Sequence, residues 1–432
     1  MDNEVSNIFW FRRDLRWDDN HALYKSLCEK GNTIPIFIFD PDILEHFDNN
    51  DHRVFFLYNK VLQLKKEAEE LGSSLWIFYD KPELVFNHLF SDLKIKNVFC
   101  NEDYEPEARK RDDKISDICK NFGIKFHAET DQVIFHPNKV LKQDNSPFVV
   151  FTPFSKAWLK EFDSYPCPSY PSHENLDRLA KVESKDIPEL DILDLSQSYI
   201  KGPKYNLSSD LITKYDDNRD IPSSDGVSRI GFALRFGTIS IRYVVRKAKQ
   251  HNSAFLRQLI WREFYTSILY HFPHVEKSCF RSKYDHIEWE NNEEYFDKWK
   301  NGLTGFPFVD AGMRELNKTG YMHNRVRMLT ASFLVKNLLI DWKWGETYFA
   351  KKLFDFDLAC NNGNWQWVAG CGVDAAPYFR IFNPTLQTKR FDPHLLYIKK
   401  WVPEFASDKY PKPMINIKES RDKCLNLYKS LL

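Results

Sequence analysis

The first 135 residues of this 432-residue chain contain very little glycine, and that shortage argues against a common kind of nucleotide site. Gly31, Gly72 and Gly123 are the only glycines in this part of the sequence. They cannot form a GxGxxG turn, so the pyrophosphate-binding fingerprint of dinucleotide-binding dehydrogenases is missing. A Rossmann-type dehydrogenase is therefore disfavoured.

Three further features are missing from the sequence. Lys plus Arg and Asp plus Glu both number 61, so no overall basic field indicates a nucleic-acid partner. The 8 cysteines form no CxxC pair and no metal-ligand spacing, which predicts buried thiols in a reducing compartment and no metal site. No apolar run reaches about 18 residues, and the N-terminus lacks a signal-peptide pattern, so we expect a cytoplasmic protein.

Aromatic residues, in contrast, are abundant. They make up 16% of the chain, which has 12 tryptophans, most of them in its second half. Aromatic side chains either fill a core or stack on flat ligands, and composition does not decide between the two. The length favours two domains, because a single hydrophobic core stops growing at about 250–300 residues.

Residues 1–135 alternate between short apolar runs and helical segments. The runs lie at residues 7–11, 34–39, 74–79 and 97–100. Continuous apolar runs of this length are typical of strands buried on both faces of a parallel sheet. Residues 52–72 carry apolar side chains at helical spacing and end at Gly72, a helix stop signal. The pattern predicts an α/β domain with a doubly wound parallel sheet.

The composition and the apolar spacing of the sequence change after this domain. The density of proline and serine over residues 136–205 predicts an interdomain linker. Beyond residue 205 the apolar spacing becomes helical, most clearly in residues 228–250, 254–270 and 321–342. We therefore predict an all-helical domain over residues 206–432 and expect the chemistry to lie there.

Four segments, taken together and in order, identify a family. They are FRRDLRWDDNHAL (11–23), QLIWREFY (258–265), GYMHNRVRMLTASFLVKNLLIDW (320–342) and FDLACNNGNWQWVAGCGVDAAPYFRIFNP (356–384). They resemble the photolyase/cryptochrome family, and within it the bacterial-type photolyases that act on cyclobutane pyrimidine dimers. The resemblance implies an α/β antenna domain joined by a linker to a helical domain that buries FAD.

The resemblance also implies a pocket for a flipped-out pyrimidine dimer of UV-damaged DNA. Trp261 and Trp367 match its aromatic walls, and Arg219 and Arg325 match a phosphate clamp. The implied DNA contacts are Gln258, Trp261, Arg262, Asn324, Arg325, Met328, Trp367, Arg219 and Gln387. Gln258 departs from the pattern, because the cyclobutane enzymes usually carry Glu there, whereas Gln is common in enzymes that act on the (6-4) product.

The implied flavin site occupies other positions of the same half. Its residues are Tyr215, Val227, Ser228, Arg229, Ile230, Gly231, Phe255, Asp355, Phe356, Asp357 and Asn361. Val227 departs from the usual Thr, so we expect backbone N–H groups of a helix that begins near Ser228 to bind the diphosphate. Asn361 is expected to face flavin N5, and the nearby glycines to let the backbone approach the flavin closely.

Three tryptophans match the family's electron-transfer relay. Trp365, Trp342 and Trp289 would carry an electron from the surface to the photoexcited flavin, and with Asn361 they form the expected catalytic set. Spaced tryptophans are more often core residues, and only the joint match favours the relay.

The expected activity is a light-dependent DNA repair lyase that splits cyclobutane pyrimidine dimers with reduced FAD. Two alternatives remain. Gln258 indicates a (6-4) photolyase, whereas a cryptochrome photoreceptor without repair activity is disfavoured by the short sequence after the last motif. An antenna chromophore, folate or deazaflavin, stays undecided. We expect a monomer that associates with the nucleoid when it binds DNA.

Overall fold

The computed structural model describes residues 5–49, 51–165, 167–192 and 202–430. The chain divides into two compact units. Unit 1 comprises the described parts of Met1–Val140, Lys160–Gly202 and Gly231–Lys247. Unit 2 comprises those of Leu141–Leu159, Pro203–Ile230 and Ala248–Leu432. Each unit draws on several stretches of chain, and the domain boundaries predicted at residues 135 and 205 stay predictions.

Unit 1 contains one parallel sheet with the strand order β3-β2-β1-β4-β5. The strands are β1 Ser6–Phe11, β2 Asn32–Phe39, β3 Trp76–Tyr79, β4 Ile95–Asn101 and β5 Lys125–Glu129. The α/β class and the four predicted strands are confirmed. The sequence pattern missed β5, because its residues KFHAE form an edge strand without an apolar run.

Helices cover both faces of this sheet. They are α1 His21–Cys28, α2 Pro41–Leu44, α3 His52–Glu70, α4 Pro82–Asp92 and α5 Pro106–Asn121. Ile8 and Trp10 of β1 pack in one core with residues of α4 and α5. Phe9 and Phe11 belong to a second core with residues of α1 and α3. Because successive strand residues point to opposite faces, both must be apolar, which explains the continuous apolar run.

The remaining helices follow in chain order. They are α6 Phe151–Ser164, α7 Ser209–Thr213, α8 Tyr215–Asn218, α9 Gly231–Arg235, α10 Ile241–His251, α11 Ser253–His271, α12 Glu293–Lys300, α13 Pro307–Thr319, α14 Asn324–Ser332, α15 Trp342–Lys352, α16 Leu358–Ala369, α17 Pro384–Phe391, α18 Leu396–Trp401 and α19 Ile417–Lys429. Short 3-10 turns lie at Ser172–Arg178, Pro273–Glu276 and Ser282–His286. The main core of unit 2 gathers apolar residues of α13, α14, α15, α16 and α19.

Two of the predicted helical segments are interrupted. Within residues 321–342, α14 ends at Ser332, a π turn covers Phe333–Asn337, and α15 begins only at Trp342. Leu339 has a φ of 51°, in the left-handed region, so a continuous helix cannot pass through it. Residues 228–250 likewise split into α9 and α10, whereas residues 254–270 form the single helix α11 as predicted.

Two other expectations from composition can be compared with the structure. Six of the cysteines are buried thiols as predicted, whereas Cys28 is exposed and Cys360 is half-buried. Across the described residues, no helix combines the length and the apolarity that a bilayer span demands.

Candidate functional site

The first turn of α14 brings three of the predicted DNA-contacting residues together. His323 is the N-cap, and its Nδ1 accepts a hydrogen bond from the Arg325 backbone N–H at 3.2 Å. Asn324 Nδ2 and Arg325 Nη1 each lie 4.0 Å from the Met328 sulfur. The cap therefore fixes a turn on which an amide, a guanidinium and a thioether are neighbours.

Arg325 is held by two contacts that lie far from it in sequence. Its Nη2 donates to Asp220 Oδ1 at 2.6 Å, and its guanidinium carbon lies 4.3 Å from the centre of the Phe391 ring. Its Nε is buried, with no hydrogen-bond partner among the described residues. Arg219, the second predicted clamp residue, follows α8 and places its guanidinium 5.3 Å from the Tyr215 ring.

Helix α11 carries Gln258, Trp261 and Arg262, all three half-buried. Its N-cap Asn252 accepts hydrogen bonds from the backbone N–H groups of two residues of the first turn. Trp261 stacks on Phe151, with ring centres 3.6 Å apart and planes at 6°. Among the described residues, Gln258 Nε2 donates only to its own helix, at Ala254 O, 3.4 Å away. The stacking partner Phe151 was not predicted, because it lies more than 100 residues away in sequence.

Helix α16 carries two of the four predicted catalytic residues, Asn361 and Trp365. Asp357 is its N-cap, and the Asp357 carboxylate accepts from the Cys360 N–H at 3.1 Å. Asn361 Nδ2 donates to Glu346 Oε1 at 2.7 Å and to Glu346 O at 3.1 Å. Burial raises the pKa of the Glu346 carboxyl, although the hydrogen bond from Asn361 opposes that rise. Glu346 is a functional candidate that the sequence analysis missed.

The glycines of this region serve packing between side chains. A Cβ at Gly363 would lie 2.2 Å from the Tyr265 ring, and one at Gly345 would lie 2.2 Å from the Trp365 ring. Both distances are far below van der Waals contact, so no residue with a side chain fits there. Glycines near Asn361 were expected to let the backbone approach a flavin, whereas Gly363 makes room for the Tyr265 ring.

One of the predicted flavin residues, Asp355, forms an ion pair with Arg327. Arg327 Nη2 donates to Asp355 Oδ2 at 2.9 Å, and Arg327 Nε donates to Met322 O at 2.7 Å. Burial alone would lower the pKa of Arg327, but the Asp355 carboxylate raises it above its ordinary value. Asp355 Oδ1 is buried, with no hydrogen-bond donor among the described residues. The sequence analysis left Arg327 without a role.

The predicted phosphate-binding segment is not helical where expected. Helix α9 begins at Gly231 rather than near Ser228, and it has only five residues. Arg229, between them, has a φ of 52°. A helix cannot pass through that conformation, so the helix N-terminus lies at Gly231, three residues after Ser228, and Ser228 itself is in the preceding loop. Val227 and Ile230 flank Ser228 and Arg229 in the same loop.

The other predicted flavin and DNA residues are placed as follows. The Tyr215 and Phe255 rings meet edge to face, with centres 5.1 Å apart. Phe356 is half-buried and packs against the main core of unit 2. Gln387 lies half-buried on α17. Gly231 belongs to unit 1, whereas the other predicted site residues belong to unit 2.

The three relay tryptophans lie in one hydrophobic core. Trp365 and Trp342 are buried in it, and Trp289 packs against it half-buried. Trp365 also contacts Phe349 and Trp299, with ring centres at 5.0 and 6.4 Å. Trp289, the residue that a relay would place nearest the surface, is thus the most exposed of the three.

Comparisons with known proteins identify the family of the chain. A family model described as DNA photolyase matches residues 7–173, and one described as the FAD binding domain of DNA photolyase matches residues 255–409. A deoxyribodipyrimidine photo-lyase of Synechococcus is 36% identical over 95% of this chain and 90% of its own length. The chain belongs to the DNA photolyase family.

Solved structures of photolyases share the fold. A class III photolyase from Agrobacterium tumefaciens is 29% identical, with a TM-score of 0.88 over 99% of this chain and 98% of its own. An archaeal photolyase from Sulfolobus tokodaii, described with two FAD molecules, is 36% identical, with a TM-score of 0.80 over 99% of this chain and all of its own. These matches confirm the photolyase/cryptochrome fold for both parts of the chain.

The residues of unit 2 fit FAD, the cofactor of the matched domain. A flavin offers ring and ribose N–H or O–H donors, and the buried Asp355 Oδ1 still lacks a donor among the described residues. A buried carboxylate oxygen without a partner is costly, so a ligand that donates there is favoured. Asp355, Arg327 and Asn361 are the residues that would hold it.

Proposed function

We propose that this protein is a light-dependent deoxyribodipyrimidine photo-lyase that splits cyclobutane pyrimidine dimers in UV-damaged DNA with bound FAD. The observation that carries this proposal is the start of α14. Asn324, Arg325 and Met328 belong to the predicted lesion pocket, and Arg327, on the same helix, pairs with Asp355 of the predicted flavin site. One helical turn thus joins the two functions that a photolyase requires.

The chemistry that reduced FAD supplies when bound is one electron for the dimer after light absorption, recovered once the cyclobutane ring has opened. The protein's part is binding, orientation and electrostatics. Asn361 would lie against the flavin with its amide orientation fixed by Glu346, because Asn361 Nδ2 donates to two Glu346 oxygens. Its Oδ1 is then the atom left to face the ring.

The lesion must leave the duplex to reach the pocket. Extruding a base costs a few kcal/mol, less for a damaged base that is already poorly stacked. Stacking on an aromatic side chain returns about 1–3 kcal/mol per base. Trp261 would offer one ring face to the lesion, because Phe151 covers the other at 3.6 Å. Trp367, half-buried on α16, would be the opposite wall.

Two arginines would bind the DNA backbone. Arg219 and Arg325 are both half-buried and belong to unit 2, as do the lesion residues. Phosphate contacts of this kind position the protein without reading sequence, and they weaken as salt rises. They suit an enzyme that recognises damage in any sequence context.

The three tryptophans would restore the reduced cofactor. An electron vacancy left on the buried Trp365 would pass through Trp342 to the half-buried Trp289, where an external reductant can fill it. FAD is the one cofactor proposed, and the presence of an antenna chromophore stays undecided. The monomeric state and the cytoplasmic location stay predictions of the sequence.

Irradiation of defined substrates tests the proposed function. Purified, chemically reduced protein is given DNA that carries either a cyclobutane dimer or a (6-4) product, and the loss of each is measured under blue light and in the dark. We expect light-dependent loss of the cyclobutane dimer. If only the (6-4) product is repaired, the (6-4) product is the substrate and not the cyclobutane dimer. If neither product is repaired, the result supports a photoreceptor.

A further inference from the structure

The acidic residue beside the phosphate clamp has no place in the reaction described above. Asp220 lies directly after the clamp residue Arg219, and its Oδ1 is 2.6 Å from Arg325 Nη2. A carboxylate in this position opposes the binding of phosphate, because it cancels the charge that attracts DNA. Arg325 nevertheless keeps Nη1, whose contact with the Met328 sulfur at 4.0 Å is a weak one.

Exposure separates this ion pair from its neighbour two residues along the same helix. The Asp220 side chain is 42% exposed and that of Arg325 is 19% exposed. In the Arg327–Asp355 pair the exposures are 23% for the arginine and only 17% for the aspartate. Water can solvate a released Asp220 carboxylate more readily than a released Asp355 carboxylate. The first pair is therefore exchangeable, and the second is a permanent part of the site.

We propose that Asp220 is a specificity-determining residue, which makes phosphate binding at Arg325 conditional on a displaced nucleotide. The inference rests on the proposed function. A regular duplex would meet Arg325 with its charge already neutralised by Asp220, and so gain little. A flipped-out lesion would bring its phosphate toward Asn324 and Met328, where Arg325 Nη1, 4.0 Å from the Met328 sulfur, can donate to it.

Removing the carboxylate should relax this discrimination. Asp220→Asn leaves an oxygen that can still accept from Arg325 but removes the charge. We expect its affinity for undamaged duplex to rise about 3- to 10-fold, and its affinity for a duplex with one dimer to change by less than about twofold. The slope of log affinity for undamaged DNA against log salt concentration should become more negative by up to about one, because one more phosphate is neutralised.

The measurement is fluorescence anisotropy of the two duplexes, in the dark, across a salt series. Asp210→Asn is the matched control, because Asp210 belongs to the same unit, pairs with exposed Lys214 at 2.7 Å, and its loss changes the net charge equally. Asp210→Asn should change the affinity for both duplexes by the same small factor. In Arg325→Gln, the added Asp220→Asn change should have no further effect on discrimination.

Each outcome decides a separate point. If wild type prefers the dimer and Asp220→Asn behaves like Asp210→Asn, Asp220 has no role in specificity. If Asp220→Asn weakens binding to the dimer, Asp220 only orients Arg325, and the inference is wrong. If wild type binds both duplexes equally, the proposed function itself fails, and the inference fails with it.

Discussion

Asn361 Nδ2 donates to two oxygens of Glu346, the side-chain Oε1 at 2.7 Å and the backbone oxygen at 3.1 Å. Asn361 is the residue expected to face the flavin, and Glu346 lies fifteen positions earlier, on α15. The amide of Asn361 is therefore oriented before any ligand arrives, and its oxygen is the atom that remains available.

Replacing Glu346 tests this orientation. We expect Glu346→Ala to lower light-driven dimer repair at least tenfold, about 1.4 kcal/mol. The Asn361 amide then loses its shorter, side-chain acceptor, and the backbone oxygen that remains at 3.1 Å fixes its orientation less firmly. Glu346→Gln should stay within about threefold of wild type, since an amide oxygen still accepts from Asn361. Repair rate and flavin midpoint potential are measured for both. Equal shifts in the two variants would mean that charge, not orientation, matters.

The Arg327–Asp355 pair predicts an effect on cofactor retention. Asp355→Asn should leave Arg327 without its carboxylate, so the purified protein should carry less than half of the wild-type flavin. The free energy of unfolding should fall by about 2 kcal/mol, less than for a fully buried pair. Flavin absorbance per protein and denaturant unfolding check these values. Glu294→Gln, which removes the exposed pair with Lys298, is the control and should change neither.

His323 predicts a pH dependence of stability. Burial, reinforced by the nearby Arg327 guanidinium, lowers the pKa of His323 to about 4, below the ordinary value of 6.5. Between pH 6.5 and pH 4 the unfolded chain therefore binds a proton at His323 that the folded chain does not bind. The free energy of unfolding decreases as the pH is lowered through this window. Between pH 7 and pH 5 this one group contributes a loss of about 2 kcal/mol.

His323→Asn removes that titration and keeps a residue able to cap α14. Urea unfolding at pH 7 and pH 5 should show a loss that is smaller by about 2 kcal/mol in the variant than in wild type. An unchanged difference between the two pH values would show that His323 is protonated in the folded protein.

The relay predicts a separation of photoreduction from repair. Trp342→Phe should slow light-driven reduction of oxidised bound flavin at least tenfold, because the middle step is lost. The same variant, reduced chemically, should repair dimers at the wild-type rate. Trp344→Phe is the matched control, since Trp344 neighbours Trp342 and instead contacts Phe296, with ring centres at 5.2 Å. Equal slowing by both would point to a packing defect.

Gln258 predicts a gain rather than a loss. Its side chain donates only to Ala254 O within α11, so no described tertiary contact depends on the amide. Gln258→Glu, the residue usual in cyclobutane enzymes, should keep or raise dimer repair. A tenfold fall, about 1.4 kcal/mol, would show that the neutral amide has a function of its own.

Local patterns predicted the elements whose burial is simple. The four apolar strands were found because both of their faces are covered, whereas β5, half-exposed at the sheet edge, left no such pattern. Helix α11 was found because its spacing is regular. The breaks at Leu339 and Arg229 were not, because apolar spacing does not reveal a left-handed residue.

The site divides in the same way. Family motifs pointed to Asn324, Arg325 and Asn361, whose chemistry is written in contiguous sequence. Their partners Asp220 and Glu346 were missed, since an acidic residue in a loop or on a helix is ordinarily a solvated one. Only the folded chain brings Asp220 across 105 positions to Arg325.

By itself, then, the amino-acid order indicated the four apolar strands, helix α11 and the family to which the chain belongs, because burial periodicity and short motifs are local properties. Tertiary structure alone decided which charges meet, which donors stay unpaired and which ring covers which. These depend on distances between residues far apart in the chain, and no local pattern encodes them.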